Sequence, residues 1–309
     1  MSRLRFATRG SELALAQTGS VIEALRAVHA GLEAETVVVR TTGDRDRTTA
    51  LWKMGEVGVF TAQVEQALLD GRADVAVHSF KDMPTEATAG LTVAAVPERR
   101  WPEDALVALG RLQSLDDLGV GARVGTSSPR RIALLRSMRP DLTIEPVRGN
   151  VPTRLRKVDA GQLDAVVVAR AGLERLGVGE RISLILDPTW FVPAPAQGAL
   201  AVQCRSDDRR TVEWLGALEH GPTRQVVAAE RAVLAGLHPG CHAPVGVHAA
   251  LETDGTMRIR AFLADTEGRN VIRKEMQGPA ARGREIAREM VEQILAEGGR
   301  EILRAMEKE

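Results

Sequence analysis

The sequence has few cysteines, few aromatic residues and no long apolar runs. Its only cysteines, Cys204 and Cys241, are too few for a disulfide network, which favours the reducing cytoplasm. Aromatic residues make up 3% of the chain and tyrosine is absent, so stacked aromatic platforms for single-stranded nucleic acids are not expected. No run approaches the ~20 apolar residues of a membrane span, and no secretory signal is visible. We therefore predict a cytoplasmic protein without a membrane partner.

The sequence also lacks an excess of charge of one sign. Lys+Arg and Asp+Glu each number 41, so no overall positive field attracts nucleic acid, and an anion site must be local. Arginine supplies 36 of the 41 basic residues, and its planar guanidinium suits carboxylates and phosphates. No glycine-rich nucleotide-binding motif occurs at a strand-to-helix turn. We expect no nucleic-acid partner.

Alternating strand and helix patterns along the 309 residues predict two doubly wound α/β lobes, each with a parallel sheet covered on both faces. Leu4 to Thr8 is a predicted strand, and Leu13 to Val28 is a predicted helix. Proline-bearing segments at 97–102 and 188–195 predict chain crossings between the lobes. From Pro244 three strands and a helix predict a small α+β C-terminal domain. The predicted boundaries are 1–98 plus 198–217 for lobe 1, 103–193 for lobe 2 and 220–309 for the C-terminal domain.

Basic and hydroxyl side chains follow several predicted strands at the points where the strands end. Ligands of open α/β sheets bind beyond these carboxyl ends, so we expect one cleft that binds a ligand with several carboxylates or phosphates. Any single member could instead be a solvated surface charge, and only the joint placement favours a site. Ser128 and Pro129 also predict a helix start that favours an anion. The set comprises Arg9, Ser11, Lys81, Ser127, Ser128, Arg130, Arg131, Arg148, Arg154 and Arg175.

An acid and two thiols carry further chemistry. Asp82 either caps a turn or stabilises developing positive charge and transfers protons among the surrounding cations. Cys241 lies in a broken stretch that predicts a loop with a reactive thiol, whereas Cys204 ends a strand pattern and is expected to be buried. His238, Cys241 and His242 could ligate a metal, but no second cysteine pair completes a tetrahedral set. We therefore predict no metal.

Six short motifs together resemble the porphobilinogen deaminase family, in family order across nearly the whole chain. The resemblance implies two lobes like those of periplasmic binding proteins and a third domain that carries a cysteine-bound cofactor. The motifs are Thr8-Arg9-Gly10-Ser11, Val77-His78-Ser79-Phe80-Lys81-Asp82-Met83-Pro84, Gly125-Thr126-Ser127-Ser128-Pro129-Arg130-Arg131, Arg148-Gly149-Asn150-Val151, Ala196-Gln197-Gly198-Ala199, and Gly240-Cys241 before Pro244-Val245-Gly246.

The resemblance implies a monomeric transferase of tetrapyrrole and heme biosynthesis. Four porphobilinogens would condense head to tail onto a covalent primer, each losing ammonia, before hydrolysis releases hydroxymethylbilane. The implied primer is dipyrromethane, one per chain, bound to Cys241 through a thioether, and the acetate and propionate of each pyrrole account for the arginines. Asp82 matches the catalytic aspartate. The implied cofactor-binding residues are Cys241, Lys81, Asp82, Ser127, Ser128, Arg130 and Arg131, and the implied substrate-binding residues are Arg9, Ser11, Arg148, Arg154, Arg175 and Gln197.

Two other interpretations remain open. A two-lobed protein that binds polycarboxylates without catalysis has the same architecture, since fold alone does not determine function. The other is a metal-dependent transferase that uses His238, Cys241 and His242. If the chain is the implied enzyme, we expect Thr42 to Gly58 to form a mobile lid over the cleft, with hinges at the two crossings.

Overall fold

The computed structural model describes residues 2–39, 61–238 and 243–306, which form two compact units. The first unit comprises Met1–Arg100 and Gly198–Arg224, and the second comprises Trp101–Gln197 and Gln225–Glu309. The predicted lid and Cys241 lie outside the described residues. The division into three domains remains a prediction.

Thirteen strands and nine α-helices are assigned in the described ranges. None of these helices has the length and apolar character that a membrane crossing requires. The strands are β1 (Ser2–Arg9), β2 (Leu32–Val39), β3 (Val75–Ser79), β4 (Leu91–Ala95), β5 (Asp104–Ala108), β6 (Arg123–Gly125), β7 (Thr143–Glu145), β8 (Ala165–Ala169), β9 (Leu184–Leu186), β10 (Leu200–Arg205), β11 (Val245–Leu251), β12 (Thr256–Ala264) and β13 (Val271–Pro279). The helices are α1 (Glu12–Val28), α2 (Ala62–Leu69), α3 (Pro129–Met138), α4 (Val151–Asp159), α5 (Arg170–Arg175), α6 (Arg209–Gly216), α7 (Gly221–Leu237), α8 (Gly283–Ile294) and α9 (Arg300–Met306).

The first unit contains a five-stranded sheet in the order β2-β1-β3-β10-β4. Strand β1 is parallel to β2 and β3, as predicted, but β10 is antiparallel to both of its neighbours. The prediction of a wholly parallel sheet is therefore wrong. Strand β10 follows a segment of the second unit, so no right-handed βαβ crossover imposes a parallel direction on it.

Alternating side chains of this sheet enter two apolar clusters. Phe6 and Val75 pack with Leu25 of α1 on one face, whereas Ala76 packs with Leu68 of α2 on the other. This period of two is the expected pattern for a sheet covered on both faces. The predicted burial of Cys204 is confirmed, since its side chain belongs to the α1-side cluster and is fully buried.

The second unit contains a five-stranded sheet in the order β7-β6-β8-β5-β9 and a separate three-stranded sheet. Strands β6, β7 and β8 are parallel, whereas β5 is antiparallel to β8 and β9. The parallel prediction is thus wrong here too, because β5 follows a segment of the first unit. The antiparallel order β11-β12-β13 confirms the three strands predicted near the C-terminus. The fold class is α/β with a small α+β portion, as predicted.

The three-stranded sheet contacts helix α3 of the same unit. Phe262 of β12 is fully buried in the cluster that contains Leu134 and Leu135 of α3. In the turn after β12, Gly268 has a φ of 68°, and a Cβ atom there would lie 2.5 Å from the carbonyl oxygen of Ala133. Only glycine fits this close approach without strain. The contact fixes the helix whose first turn carries Arg130 and Arg131.

Candidate active site

One group of candidate residues, in the first unit, lies at the carboxyl ends of β1 and β3. These strands are parallel neighbours, so the residues that follow them share one edge of the sheet. Arg9 ends β1, and Ser11 caps α1 by accepting a hydrogen bond from the backbone N–H of Ala14 at 3.3 Å. Lys81 and Asp82 lie in a 3₁₀ turn directly after β3, where Asp82 is exposed and Lys81 is half-buried. The structure thus places all four predicted residues at this edge.

Hydrogen bonds on both faces of the sheet secure the end of β3. On the α1 face, Gln17 Nε2 donates to Ser79 Oγ at 2.9 Å. On the α2 face, His78 Nε2 lies 3.1 Å from Gln203 Oε1, and Gln203 Nε2 donates to Glu65 Oε1 at 2.8 Å. Because a carboxylate only accepts, Glu65 orients the amide of Gln203, and the facing His78 Nε2 must carry a hydrogen. These bonds fix the strand immediately before Asp82.

The buried imidazole in this arrangement is neutral near neutral pH. Burial lowers the pKa of His78 below its ordinary value of 6.5 and outweighs Glu65, Gln203 and Asp82, each of which raises it. Sequence analysis missed this network because its partners are distant along the chain and no local pattern connects them. The neutral imidazole adds no positive charge near Asp82, so the basic residue beside Asp82 in the sequence is Lys81.

Another group of candidate residues, in the second unit, lies at the carboxyl ends of the parallel strands β6, β7 and β8. Ser127 Oγ accepts from the backbone N–H of Val147 at 2.9 Å and donates to the carbonyl of Val147 at 2.8 Å, which joins the loops after β6 and β7. Ser128 is the N-cap of α3 and makes no side-chain capping hydrogen bond, and Pro129 occupies the first turn. The predicted helix start is confirmed. The backbone N–H groups at the N-terminus of a helix favour a nearby anion.

A buried aspartate that sequence analysis missed connects several predicted residues. Asp104, at the start of β5, is fully buried and accepts from Arg130 Nη2 at 2.7 Å and from Arg131 Nη2 at 2.6 Å. Gln197 Nε2 donates to the same carboxylate at 3.1 Å and to the carbonyl of Pro102 at 2.8 Å. One negative charge thus faces two guanidiniums. The pair retains a net positive charge, and its orientation depends on Asp104.

Further arginines lie near Arg131 without any matching acid. Arg148 Nη2 is buried and has no hydrogen-bond partner among the described residues. In the same part of the chain, no carboxylate lies at ion-pair distance from Arg148 or Arg154. Arg154 donates from Nε to the carbonyl of Gly149 at 3.0 Å. Burial, together with the charges of Arg131 and Arg148, lowers the pKa of Arg154 to about 10. Such uncompensated, partly buried cations favour an anionic ligand.

Two of the remaining predicted residues, Arg175 and His238, lie within the part of the chain that the structure describes. Arg175 is the last residue of α5, in the helix that directly follows β8, and it is half-buried. His238 has a φ of 44° at the end of α7, and the described residues include no cluster of three or more metal-binding side chains. Cys241 and His242 lie outside the described residues.

The chain matches two family models. Residues 4–213 match the dipyromethane cofactor binding domain of porphobilinogen deaminase, and residues 225–296 match the C-terminal domain of porphobilinogen deaminase. Together the two matches cover most of the 309 residues.

Similar full-length proteins carry the same family name. The porphobilinogen deaminase of Nitratidesulfovibrio vulgaris strain Miyazaki F is 44% identical over 307 residues, which are 98% of this chain and 96% of the relative. That of Nocardia farcinica is 47% identical over 308 residues, covering 97% of this chain and 88% of the relative. Among solved structures, the methionine binding protein MetQ aligns with 74% of this chain and 94% of its own, at a TM-score of 0.45 and 13% identity.

Proposed function

Because the chain belongs to the porphobilinogen deaminase family, we propose that the residues at these two sheet edges bind porphobilinogen and the dipyrromethane cofactor, and that Asp82 is the catalytic residue. The chain is a transferase that joins four porphobilinogens head to tail, with loss of ammonia, and releases hydroxymethylbilane by hydrolysis. The proposal therefore concerns which residues do this work. Family membership favours this activity over the two alternatives, the non-catalytic binding protein and the metal-dependent transferase.

The arginine cluster is the observation that carries the assignment of the binding site. Each pyrrole unit bears two carboxylates, and Arg148 has a buried Nη2 group without a partner. Arg131 and Arg148 both lower the pKa of Arg154, so the cluster gains stability when carboxylates neutralise it. Lys81, Ser127 and Ser128, with Arg130 and Arg131, are proposed to hold the cofactor carboxylates. Arg9, Ser11, Arg148, Arg154 and Arg175 are proposed to hold those of the substrate. Gln197 is proposed to act on the substrate site through Asp104, because its Nε2 group already donates to Pro102 and Asp104.

Arg130 and Arg131 are proposed to act while some of their guanidinium N–H groups donate hydrogen bonds within the protein. Arg130 Nη1 donates to the carbonyl of Val192 at 2.8 Å, and Arg131 Nη1 donates to that of Val167 at 2.9 Å. Together with Asp104, these contacts hold both guanidiniums in fixed positions. Their contribution is then mainly a preorganised positive potential, which loses no side-chain entropy when the carboxylate arrives.

Asp82 is proposed to stabilise the positive charge of the reaction and to accept protons. The carbon–nitrogen bond of the protonated aminomethyl group breaks and neutral ammonia leaves with the electron pair, so the positive charge passes to the substrate pyrrole. A carboxylate close to the pyrrole N–H lowers the energy of that state. The terminal ring of the primer supplies the carbon nucleophile when bound. Once the new carbon–carbon bond has formed, a ring proton is lost, and Asp82 assists its removal.

The attachment of the cofactor to Cys241 is a separate part of the proposal. Of the two cysteines, Cys204 is fully buried, and burial raises the pKa of its thiol to about 11. This thiol is therefore inert in the folded protein. Cys241 matches the family's cysteine position and is the candidate that remains.

The finer cellular features are also proposals. We infer a cytoplasmic protein that binds no nucleic acid, from the zero net charge and the small number of cysteines. The monomeric state is proposed from the family resemblance. We also propose that lobe 1, lobe 2 and the C-terminal domain are three domains with the boundaries predicted from the sequence, and that Thr42 to Gly58 is the lid.

Intact-mass measurement of the denatured protein tests the cofactor assignment. The wild type and a Cys204→Ala variant should both carry the added mass of two condensed pyrrole units, whereas Cys241→Ala should not. Loss of this mass in Cys204→Ala, or its retention in Cys241→Ala, would overturn the attachment site.

Ammonia release from porphobilinogen tests the role of Asp82. Asp82→Asn should fold normally, carry the cofactor and lose nearly all turnover, because the amide cannot balance a cation or accept a proton. Asp70→Asn is the control, since Asp70 is an exposed carboxylate of the same unit that follows α2. An Asp82→Asn protein with most of its activity would contradict the assignment.

A further inference from the structure

A single carboxylate joins three segments of the second unit. Glu230 of α7 is fully buried. Its Oε2 atom accepts from the backbone N–H of Ala196 at 2.6 Å, and its Oε1 atom accepts from that of Ala249 in β11 at 2.7 Å. Hydrogen bonds between a carboxylate and backbone N–H groups are among the stronger ones in proteins. Glu230 therefore secures the segment that precedes Gln197.

Ala196 has a backbone conformation that alanine avoids. Its φ is 62° and its side chain is fully buried. Left-handed backbone at a residue with a Cβ costs about 1–2 kcal/mol, so the surrounding structure must impose it. The hydrogen bond from Ala196 to Glu230 is the contact that offsets this cost. Strain of this kind concentrates where a neighbouring side chain has to be held in a particular place.

The neighbouring side chain here is Gln197, which contacts the aspartate that orients the arginines. Gln197 Nε2 donates to Asp104 Oδ1, and the same oxygen accepts from Arg131 Nε at 3.1 Å. Arg131 in turn acts electrostatically on Arg154. Hydrogen bonds and the peptide link between Ala196 and Gln197 thus connect helix α7 to Arg131, and the charge of Arg131 acts on Arg154.

We propose that Glu230 is a positioning residue for substrate binding, which maintains the left-handed conformation of Ala196 so that Gln197 and Asp104 hold the charge of Arg131 in place near the substrate-binding Arg154. Helix α7 ends at Leu237, four residues before Cys241. The same carboxylate thus connects the helix that leads to the cofactor cysteine with Arg131. This inference rests on the proposed carboxylate-binding role of the cluster.

Steady-state kinetics of holoenzyme variants test the proposal. Glu230→Gln keeps the shape of the side chain but turns one acceptor into a donor that opposes a backbone N–H. We expect the KM for porphobilinogen to rise about five- to tenfold, with kcat changed less than twofold. The reason is that losing one hydrogen bond corresponds to about a tenfold change in a binding constant. Glu285→Gln is the control, because Glu285 is an exposed glutamate on α8.

A second substitution separates positioning from a merely structural role. Ala196→Gly on the Glu230→Gln background should return KM to within about twofold of the wild type, since glycine adopts positive φ without strain. Hydrogen exchange provides a readout independent of turnover: the peptide containing Ala196 and Gln197 should lose protection in Glu230→Gln and recover it in the double variant. An unchanged KM in Glu230→Gln, or a stable double variant whose KM stays high, would overturn the proposal.

Two further variants distinguish a failure of the Glu230 proposal from misfolding and from a failure of the proposed carboxylate site. If Glu230→Gln does not fold, Glu230→Asp retains the charge with a shorter reach and should raise KM in the same way, and a wild-type KM would overturn the proposal. Arg148→Gln tests the carboxylate site itself. A normal KM in Arg148→Gln would count against the proposed role of that arginine, whereas the rescue by Ala196→Gly would still decide the role of Glu230.

Discussion

Replacement of the shared carboxylate of Asp104 should strongly destabilise the second unit. Asp104→Asn removes the carboxylate that pairs with Arg130 and Arg131, whose side chains are 5% and 7% exposed. It also places an amide donor against guanidinium donors. Removing one partner of a buried ion pair costs about 3–5 kcal/mol, because the remaining charge stays buried without compensation. We expect a loss of this size in the free energy of unfolding.

The change should be measurable by calorimetry. The second unit has roughly 180 residues, and for domains of this size each kcal/mol shifts the melting temperature by about 2–4 °C. The expected decrease is therefore about 6–20 °C. Asp164→Asn is the matched control, since Asp164 faces Arg123 at 3.0 Å but both side chains are at least 40% exposed. Exposed pairs contribute little, so its effect should be several-fold smaller.

The comparison has a clear failing result. If Asp104→Asn melts within a degree or two of Asp164→Asn, the two arginines do not depend on Asp104 for compensation. The net positive charge inferred for the cluster would then lack its structural basis, and water or another group would have to satisfy both guanidiniums.

Three further predictions follow from individual contacts. Gly268→Ala should destabilise the protein more than Gly255→Ala in urea unfolding, because both have positive φ but only Gly268 would place a Cβ 2.5 Å from a carbonyl oxygen; equal losses would contradict the contact with α3. Iodoacetamide should leave Cys204 unmodified in the native protein at neutral pH, as judged by peptide mass, because its thiol pKa is raised to about 11. Arg154→Gln should raise the KM for porphobilinogen about 10- to 100-fold, whereas the exposed Arg156 of the same helix should tolerate the change.

Local patterns were sufficient to predict many of the elements. The predicted helix from Leu13 to Val28 corresponds to α1, whose start is fixed by the Ser11 cap, and the predicted strand from Leu4 to Thr8 lies within β1. Both depend on short-range periodicity and capping, which a single sequence displays. The directions of β5 and β10 were predicted wrongly, because strand direction depends on the path of the chain between units rather than on composition.

Some residues of the candidate site could also be predicted from local patterns, whereas others could not. The residues that follow strands could be predicted, since the ends of parallel strands share an edge whatever the rest of the fold. Asp104 and Glu230 could not, because their roles arise from contacts with residues distant in sequence, such as Gln197 and Ala196. Neither acid stands in a recognisable motif. The direct ligand contacts assigned to Arg130 and Arg131 remain predictions.

The antiparallel strand β10 constrains the order in which the chain can fold during synthesis. It lies inside the first sheet, between β3 and β4, yet it is made only after all five strands of the second sheet. The ribosome therefore releases a complete set of strands for the second sheet while the first still has a gap between β3 and β4. Unpaired strand edges are prone to aggregation. The N-terminal portion of the chain should thus be the more vulnerable one in a stalled or truncated product that ends before Leu200.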